Sequence, residues 1–322
     1  MTPLLLVGHG TRDPGGVEDF AALVRRTRDR LAASTTTAGA VPTSGGFIEL
    51  SAPPLTRAVE QLWAQGHRHL AAVPLVLVGA GHAKGDIPAA LARERLRRPG
   101  LSYAYGRPLG PHPILLDLLA QRIDAALDGA PREGTTVLLV GRGSRDPDAN
   151  AEIVKTARLL WEGRGYDGVE TSFVSLAAPG VPDGLERARR LGARRVVVAP
   201  YLLFRGVLPD RVRAQAQEWA CGHAELDVRV AGVLGDCDPL AELVVQRYHE
   251  AVHGDLRMNC DTCAYRSAMP GFAHLVGAAQ APHDHPDDPA RGHHDDGHHD
   301  DGHDHHGHDH HGHDHHGTRD AR

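Results

Sequence analysis

LLLVGHGTRDP at residues 4–14 and VLLVGRGSRDP at residues 137–147 are two copies of one unit. Each opens on a continuous apolar run, which fits a strand buried on both faces. Each then turns through Gly-x-Gly and ends in Arg-Asp-Pro. The second copy keeps this frame but has Arg142 where the first has His9. Two further blocks repeat. GGFIELSAPPL (45–55) returns as TSFVSLAAPGV (171–181), and RHLAAVPLVLV (68–78) as RRVVVAPYLLF (194–204), both shifted by 126 residues. A period of about 130 residues is far longer than a solenoid repeat and indicates a duplicated domain.

Around these blocks, strand-like and helix-like segments alternate. In the first copy the pattern predicts strands over 3–8, 45–50, 69–79 and 101–106, and helices over 17–31, from Pro53 and Pro54 onward, 87–98 and 113–127. In the second it predicts a strand at 137–141 and a helix over 150–161, followed by the two repeated blocks. Alternation of this kind implies parallel sheets with right-handed crossovers. The expected fold is α/β: two duplicated domains, each a parallel sheet flanked by helices, followed by a disordered C-terminal tail. The expected boundaries are 1–130 for an N-terminal domain carrying the active site, 131–256 for a second domain with a degenerate site, 257–282 for a cysteine-containing segment and 283–322 for the tail. Ligands should bind at the carboxyl ends of the strands.

Composition narrows the function. The 322 residues suit two domains of ordinary size. A formal charge of -6, with acids and bases interleaved, offers no basic stripe for nucleic acid. The start MTPLLLVGHG has no charged n-region, and no apolar run approaches the roughly 20 residues of a membrane helix. The expectation is a cytoplasmic protein with no nucleic-acid or membrane partner. The four cysteines are too few for a disulfide framework at this size.

Three residues could carry chemistry. His9 sits between two glycines just after the first strand, where the backbone can bend tightly and a ligand can approach. The residue before Gly8 is Val7 and not Arg, which argues against the Arg-His-Gly arrangement of histidine phosphatases. His82, in VGAGHAKGDIP, follows the third strand in a similar Gly-rich turn, and Glu49 ends the second. Two imidazoles over one cleft suit a borderline divalent ion such as cobalt, nickel, iron or zinc. A carboxylate beside them can complete the site or take protons from a substrate. The second copy has Arg142, Ser175 and Leu208 at the three corresponding positions. A purely structural role gives no reason to lose these three and keep the frame. Arg12, Lys84 and Arg142 are candidates to bind an anionic ligand at the rim, whereas Arg145 reads as surface charge.

The GHGTRDP and GRGSRDP turns, FIELSAPPL and VPLVLVGAGHAKGDIP together resemble the sirohydrochlorin chelatase (CbiX) family, the class II tetrapyrrole chelatases, over nearly all of 1–270. The resemblance implies a two-lobed chelatase fold and insertion of a divalent metal, Co²⁺ or Fe²⁺, into sirohydrochlorin without a nucleotide. No phosphate-binding Gly-Lys-Ser/Thr loop is present. His9 and His82 carry over as metal-site histidines and Glu49 as their acidic partner. A cobaltochelatase feeding cobalamin synthesis is favoured. A ferrochelatase for sirohaem, or a metal storage or delivery protein, is the alternative. Because the duplication completes the cleft within one chain, a monomer is expected, with the cysteine segment as a route to a dimer.

Beyond Leu256 the periodic pattern stops. MNCDTCAYRSAMPGF (258–272) contains Cys260 and Cys263 in a spacing that long members of this family resemble and that can carry an iron–sulfur cluster. Two thiolates are half of the usual four ligands. Cys221, Cys237 or a second subunit could supply the rest, and a zinc site or two free thiols stay open. From His283 the chain is low-complexity Gly-His-Asp, with HDHHG repeated at 303–307, 308–312 and 313–317. This composition cannot bury a core. It reads as a tethered metal reservoir.

Overall fold

The computed structural model describes residues 1–34 and 40–254, with 268, 270, 271 and 273–276. Cys260, Cys263 and the tail 283–322 lie outside the described residues, and with them the cluster and reservoir expectations.

The first lobe runs β1 (Leu4–Gly8), α1 (Pro14–Ser34), β2 (Thr43–Phe47), α2 (Leu55–Ala64), β3 (His69–Pro74), a π-helical turn (His82–Asp86), α3 (Ile87–Arg97), β4 (Ser102–Tyr105) and α4 (Pro113–Leu127). The second runs β5 (Thr135–Gly141), α5 (Pro147–Trp161), β6 (Gly168–Phe173), α6 (Val181–Arg190), β7 (Arg195–Pro200), α7 (Val207–Cys221), β8 (Asp227–Val230) and α8 (Asp238–His253). Each lobe has a four-stranded parallel sheet, ordered β2-β1-β3-β4 in the first and β6-β5-β7-β8 in the second. The order reverses direction at β1 and at β5. A crevice opens at such a switch point, outside the carboxyl ends of the strands.

The continuous apolar runs become strands buried on both faces. Leu4 and Leu6 of β1 join the central core, while Leu5 and Val7 pack with Leu55, Val59 and Ile87 on the outside. In β5, Val137 and Leu139 face the central core and Leu138 and Val140 face α6 and α7. The central core is shared by the two sheets. The closing helices are exchanged: α4 packs on β7, β8 and α5 of the second lobe, and α8 packs on β3, β4 and α1 of the first.

The repeated Arg-Asp-Pro is a helix start. Asp13 accepts from Gly16 N at 2.9 Å, and Asp146 accepts from Asp148 N at 3.1 Å. Pro14 and Pro147 open the helices, where a missing N–H costs nothing. Thr11 and Ser144 accept from the Asp13 and Asp146 amides at 3.1 and 3.0 Å.

Two strands stop short of their expected ends. β2 ends at Phe47, so Glu49 lies beyond the strand in the loop that follows. Ile48 N and Glu49 N still donate to Gly8 O and His9 O, but the chain turns at Leu50, whose φ is +63°. β3 ends at Pro74, which has no N–H for the ladder. Beyond it, Leu75 N still donates to Val7 O of β1, but Val76 and Leu77 accept from Leu109 and Gly110, so the chain passes from the strand ladder to a loop.

Candidate active site at the carboxyl edge of the first sheet

His9 follows β1 directly. Its turn is possible because Gly10 has φ +119° and a Cβ there would collide with the Glu49 carbonyl. The close approach places Glu49 beside His9, with His9 Nε2 2.8 Å from Glu49 Oε1. His82 opens the π-helical turn after β3. Its ring centroid lies 3.9 Å from that of His9, with the planes at 56°. The structure therefore brings together the three residues read from sequence. They come from the loops after β1, β2 and β3, of which β1 and β3 flank the switch point.

The nitrogens are differently occupied. His82 Nδ1 is 2.6 Å from Asp86 Oδ2, so the Nδ1–H donates to the carboxylate and the lone pair of Nε2 stays available. His9 Nδ1 is 3.1 Å from Gly10 O and its Nε2 faces Glu49; both partners are acceptors. A neutral imidazole donates from one nitrogen only. When Nδ1–H serves Gly10, the 2.8 Å gap between Nε2 and the carboxylate must hold a proton or another cation. Burial pushes the His9 pKa below the ordinary 6.5; the Gly10 carbonyl opposes this shift, and charge on His82 adds to it. The neutral form of His9 is thereby favoured.

Among the described residues, no three His, Cys, Asp or Glu side chains form a ready-made metal cage. The two histidines with Glu49 alongside are an open arrangement. His9 is 23% exposed and Glu49 54% exposed, so an ion could arrive and leave.

The second lobe repeats the frame without these three side chains. Gly143 has φ +86° and packs against the Ser175 carbonyl as Gly10 packs against that of Glu49. Arg142 is exposed, and its charge is the last of the influences on the His9 pKa, acting to lower it. Leu208 lies in the first turn of α7.

The basic residues expected at the rim differ in situation. Arg12 is exposed on the first turn. Lys84 reaches across to the second lobe, 2.7 Å from Asp146 and 2.9 Å from Asp148, which hold its ammonium charged. Arg205 makes the reverse crossing, 2.7 Å from Asp19 of α1. Of the cysteines described, Cys221 is exposed, and burial raises the Cys237 thiol pKa, which disfavours a ligating thiolate. Asp86 was not singled out from sequence, although its four-residue spacing from His82 was there to be read. Among the described residues no helix is long and apolar enough to cross a membrane.

A family model described as CbiX matches residues 3–126 and again 136–251. The sirohydrochlorin cobaltochelatase of Priestia megaterium is 36% identical over 269 residues, covering 83% of this chain and 85% of that protein. A sirohydrochlorin ferrochelatase of the same organism is 32% identical over 246 residues, covering 76% and 88%. The solved structure of SirB from Bacillus subtilis with Fe3+ superposes with a TM-score of 0.67 at 28% identity, covering 79% of this chain and 98% of that one.

Proposed function

The chain belongs to the CbiX family, and on that premise we propose that it inserts a divalent metal into sirohydrochlorin, cobalt in preference to iron, with His9 and His82 as metal ligands. The observation that carries this reading is the pair of imidazoles 3.9 Å apart at the switch point. It is supported by the second lobe, where Arg142, Ser175 and Leu208 replace the three reactive positions while the frame persists. The cobalt preference rests on the higher identity to the cobaltochelatase, 36% against 32% for the ferrochelatase. Within the proposal, 1–130 holds the reactive groups and 131–256 the facing wall.

Metallation must strip water from the ion, present it to the ring and remove two pyrrole protons. Imidazoles suit cobalt and ferrous ions and leave an open face. Asp86 acts as a positioning residue: by accepting the His82 Nδ1–H it selects the tautomer whose Nε2 can ligate. At His9, an arriving ion would take the place of the proton shared with Glu49, which leaves to solvent from the half-exposed carboxylate. Glu49, then free of that proton, can accept the two pyrrole protons in turn and release each to solvent. Arg12, Lys84 and Arg142 would meet the carboxylates on the macrocycle rim, with Lys84 exchanging Asp146 and Asp148 for them.

The test is metallation of sirohydrochlorin followed by its absorbance, with Co²⁺ and Fe²⁺ in parallel. His9→Ala and His82→Ala should each lower turnover by about 10²-fold or more, as expected for loss of a group acting directly on the reacting centre, while circular dichroism is unchanged. Near-wild-type rates in both variants would overturn the assignment. Stoichiometric metal binding without turnover by the unaltered protein would make it a storage or delivery protein.

A further inference from the structure

Leu50 and Leu176 occupy matching positions in the two repeats, and both have positive φ, +63° and +62°. In each case the flanking residues close an i→i+2 hydrogen bond: Ser51 N donates to Glu49 O, and Ala177 N to Ser175 O, both at 2.8 Å. A γ-turn with positive φ is the rare and strained form, and a residue with a Cβ is disfavoured there. Glycine would take this conformation without penalty. Leucine stands in both copies instead, although Glu49 has become Ser175 and Ser51 has become Ala177.

The fold does not offset this strain by burying the side chains. Leu50 is 50% exposed and Leu176 56% exposed. An exposed leucine is ordinary in isolation. A strained, exposed leucine kept twice, on the loop that packs against each Gly-x-Gly turn, is not explained by folding. One adjoins Glu49, and the other follows Ser175, whose carbonyl packs on Gly143 beside Arg142.

We propose that Leu50 and Leu176 are paired apolar contacts for the ring of a flat, conjugated, carboxylate-edged macrocycle, one supplied by each lobe. The inference rests on the chelatase reading for the identity of that ligand. It adds that the second lobe takes part in recognition through Leu176, independently of the reactive groups it lacks. Leucine offers apolar area to the ring, while the rim of a polycarboxylate stays with the basic residues.

The test uses Leu50→Asn, Leu176→Asn and the double variant of the full chain, because asparagine tolerates positive φ while removing the apolar surface. Metal-free sirohydrochlorin is titrated against each protein by absorbance, and KM and kcat are measured for macrocycle and for Co²⁺. Each single variant should weaken macrocycle binding about tenfold, and the double variant should compound the losses, as expected for partial loss of a leucine contact. The KM for Co²⁺ and the melting temperature should hold. Unchanged macrocycle affinity in the double variant would overturn the proposal. So would a changed oligomeric state with unchanged macrocycle affinity, which would place the leucines between copies of the chain. If the unaltered protein binds the macrocycle without metallating it, the chelatase reading fails, while the affinities still decide the role of the leucines.

Discussion

Gly10 and Gly143 do the same mechanical work in lobes that differ at the three candidate positions. Each takes a positive φ and accepts a backbone carbonyl where a Cβ would stand. Gly143→Ala should therefore destabilise the protein by roughly 1–3 kcal/mol, the scale of a side chain forced into an unsuitable backbone conformation. A denaturant midpoint measures it, and an unchanged midpoint would show that the carbonyl can retreat. At this scale, internal duplication made His9, Glu49 and His82 stand out: their replacement by Arg142, Ser175 and Leu208 inside a retained frame marks them as candidates, and the structure gathers the three at one edge. The same comparison was silent about Leu50 and Leu176. They are identical in both copies, and their significance lies in the sign of φ and in exposure, which no residue pattern encodes.

At the scale of elements, the period-based reading located the helices well: α4 spans Pro113–Leu127 as expected, and α3 spans Ile87–Arg97 against an expected 87–98. Strand ends were less legible, because an apolar run continues past the last ladder bond whenever the following loop is also buried, as at Leu77. The π-helical turn was not foreseen. A π-helical turn often marks a functional position. Here it carries His82 and Asp86 at its two ends, and Tyr105 of β4 braces it by donating to Ala83 O at 2.8 Å. If its purpose is to hold His82 in one tautomer, Asp86→Ala should raise the KM for Co²⁺ about 10–100-fold, the usual cost of removing such a partner. Asp86→Asn should recover part of that loss, since its carbonyl oxygen still accepts. The KM for macrocycle should stay constant, which separates a positioning role from general damage to the turn. Equal metal KM in Asp86→Ala and the unaltered protein would refute it.

At the scale of the whole molecule, the duplication suggests two separable halves, yet the packing joins them. Exchange of α4 and α8 means that each sheet is covered on its inner face by a helix from the other repeat. Sequence could show the helices but not their destinations, because an amphipathic face does not name its partner. The join is polar as well as apolar. Arg247 of α8, 1% exposed, donates to the carbonyls of Pro108 and Leu109 at 2.9 and 2.7 Å and pairs with Glu250 at 3.0 Å. Arg122 of α4 donates to Val233 O and Leu234 O at 3.1 and 2.7 Å, the corresponding tie in the other direction. Neither sheet can lose its partner lobe without exposing the shared core and stranding these groups. The lobes should therefore unfold in one cooperative transition. Tryptophans on both sides make this measurable: Trp63 reports the first lobe, and Trp219 on α7 the second. Variants retaining only one of them, by Trp→Phe at the other positions, should show coincident denaturant midpoints by fluorescence and by circular dichroism. Two resolved midpoints would mean that the exchanged helices do not couple the lobes.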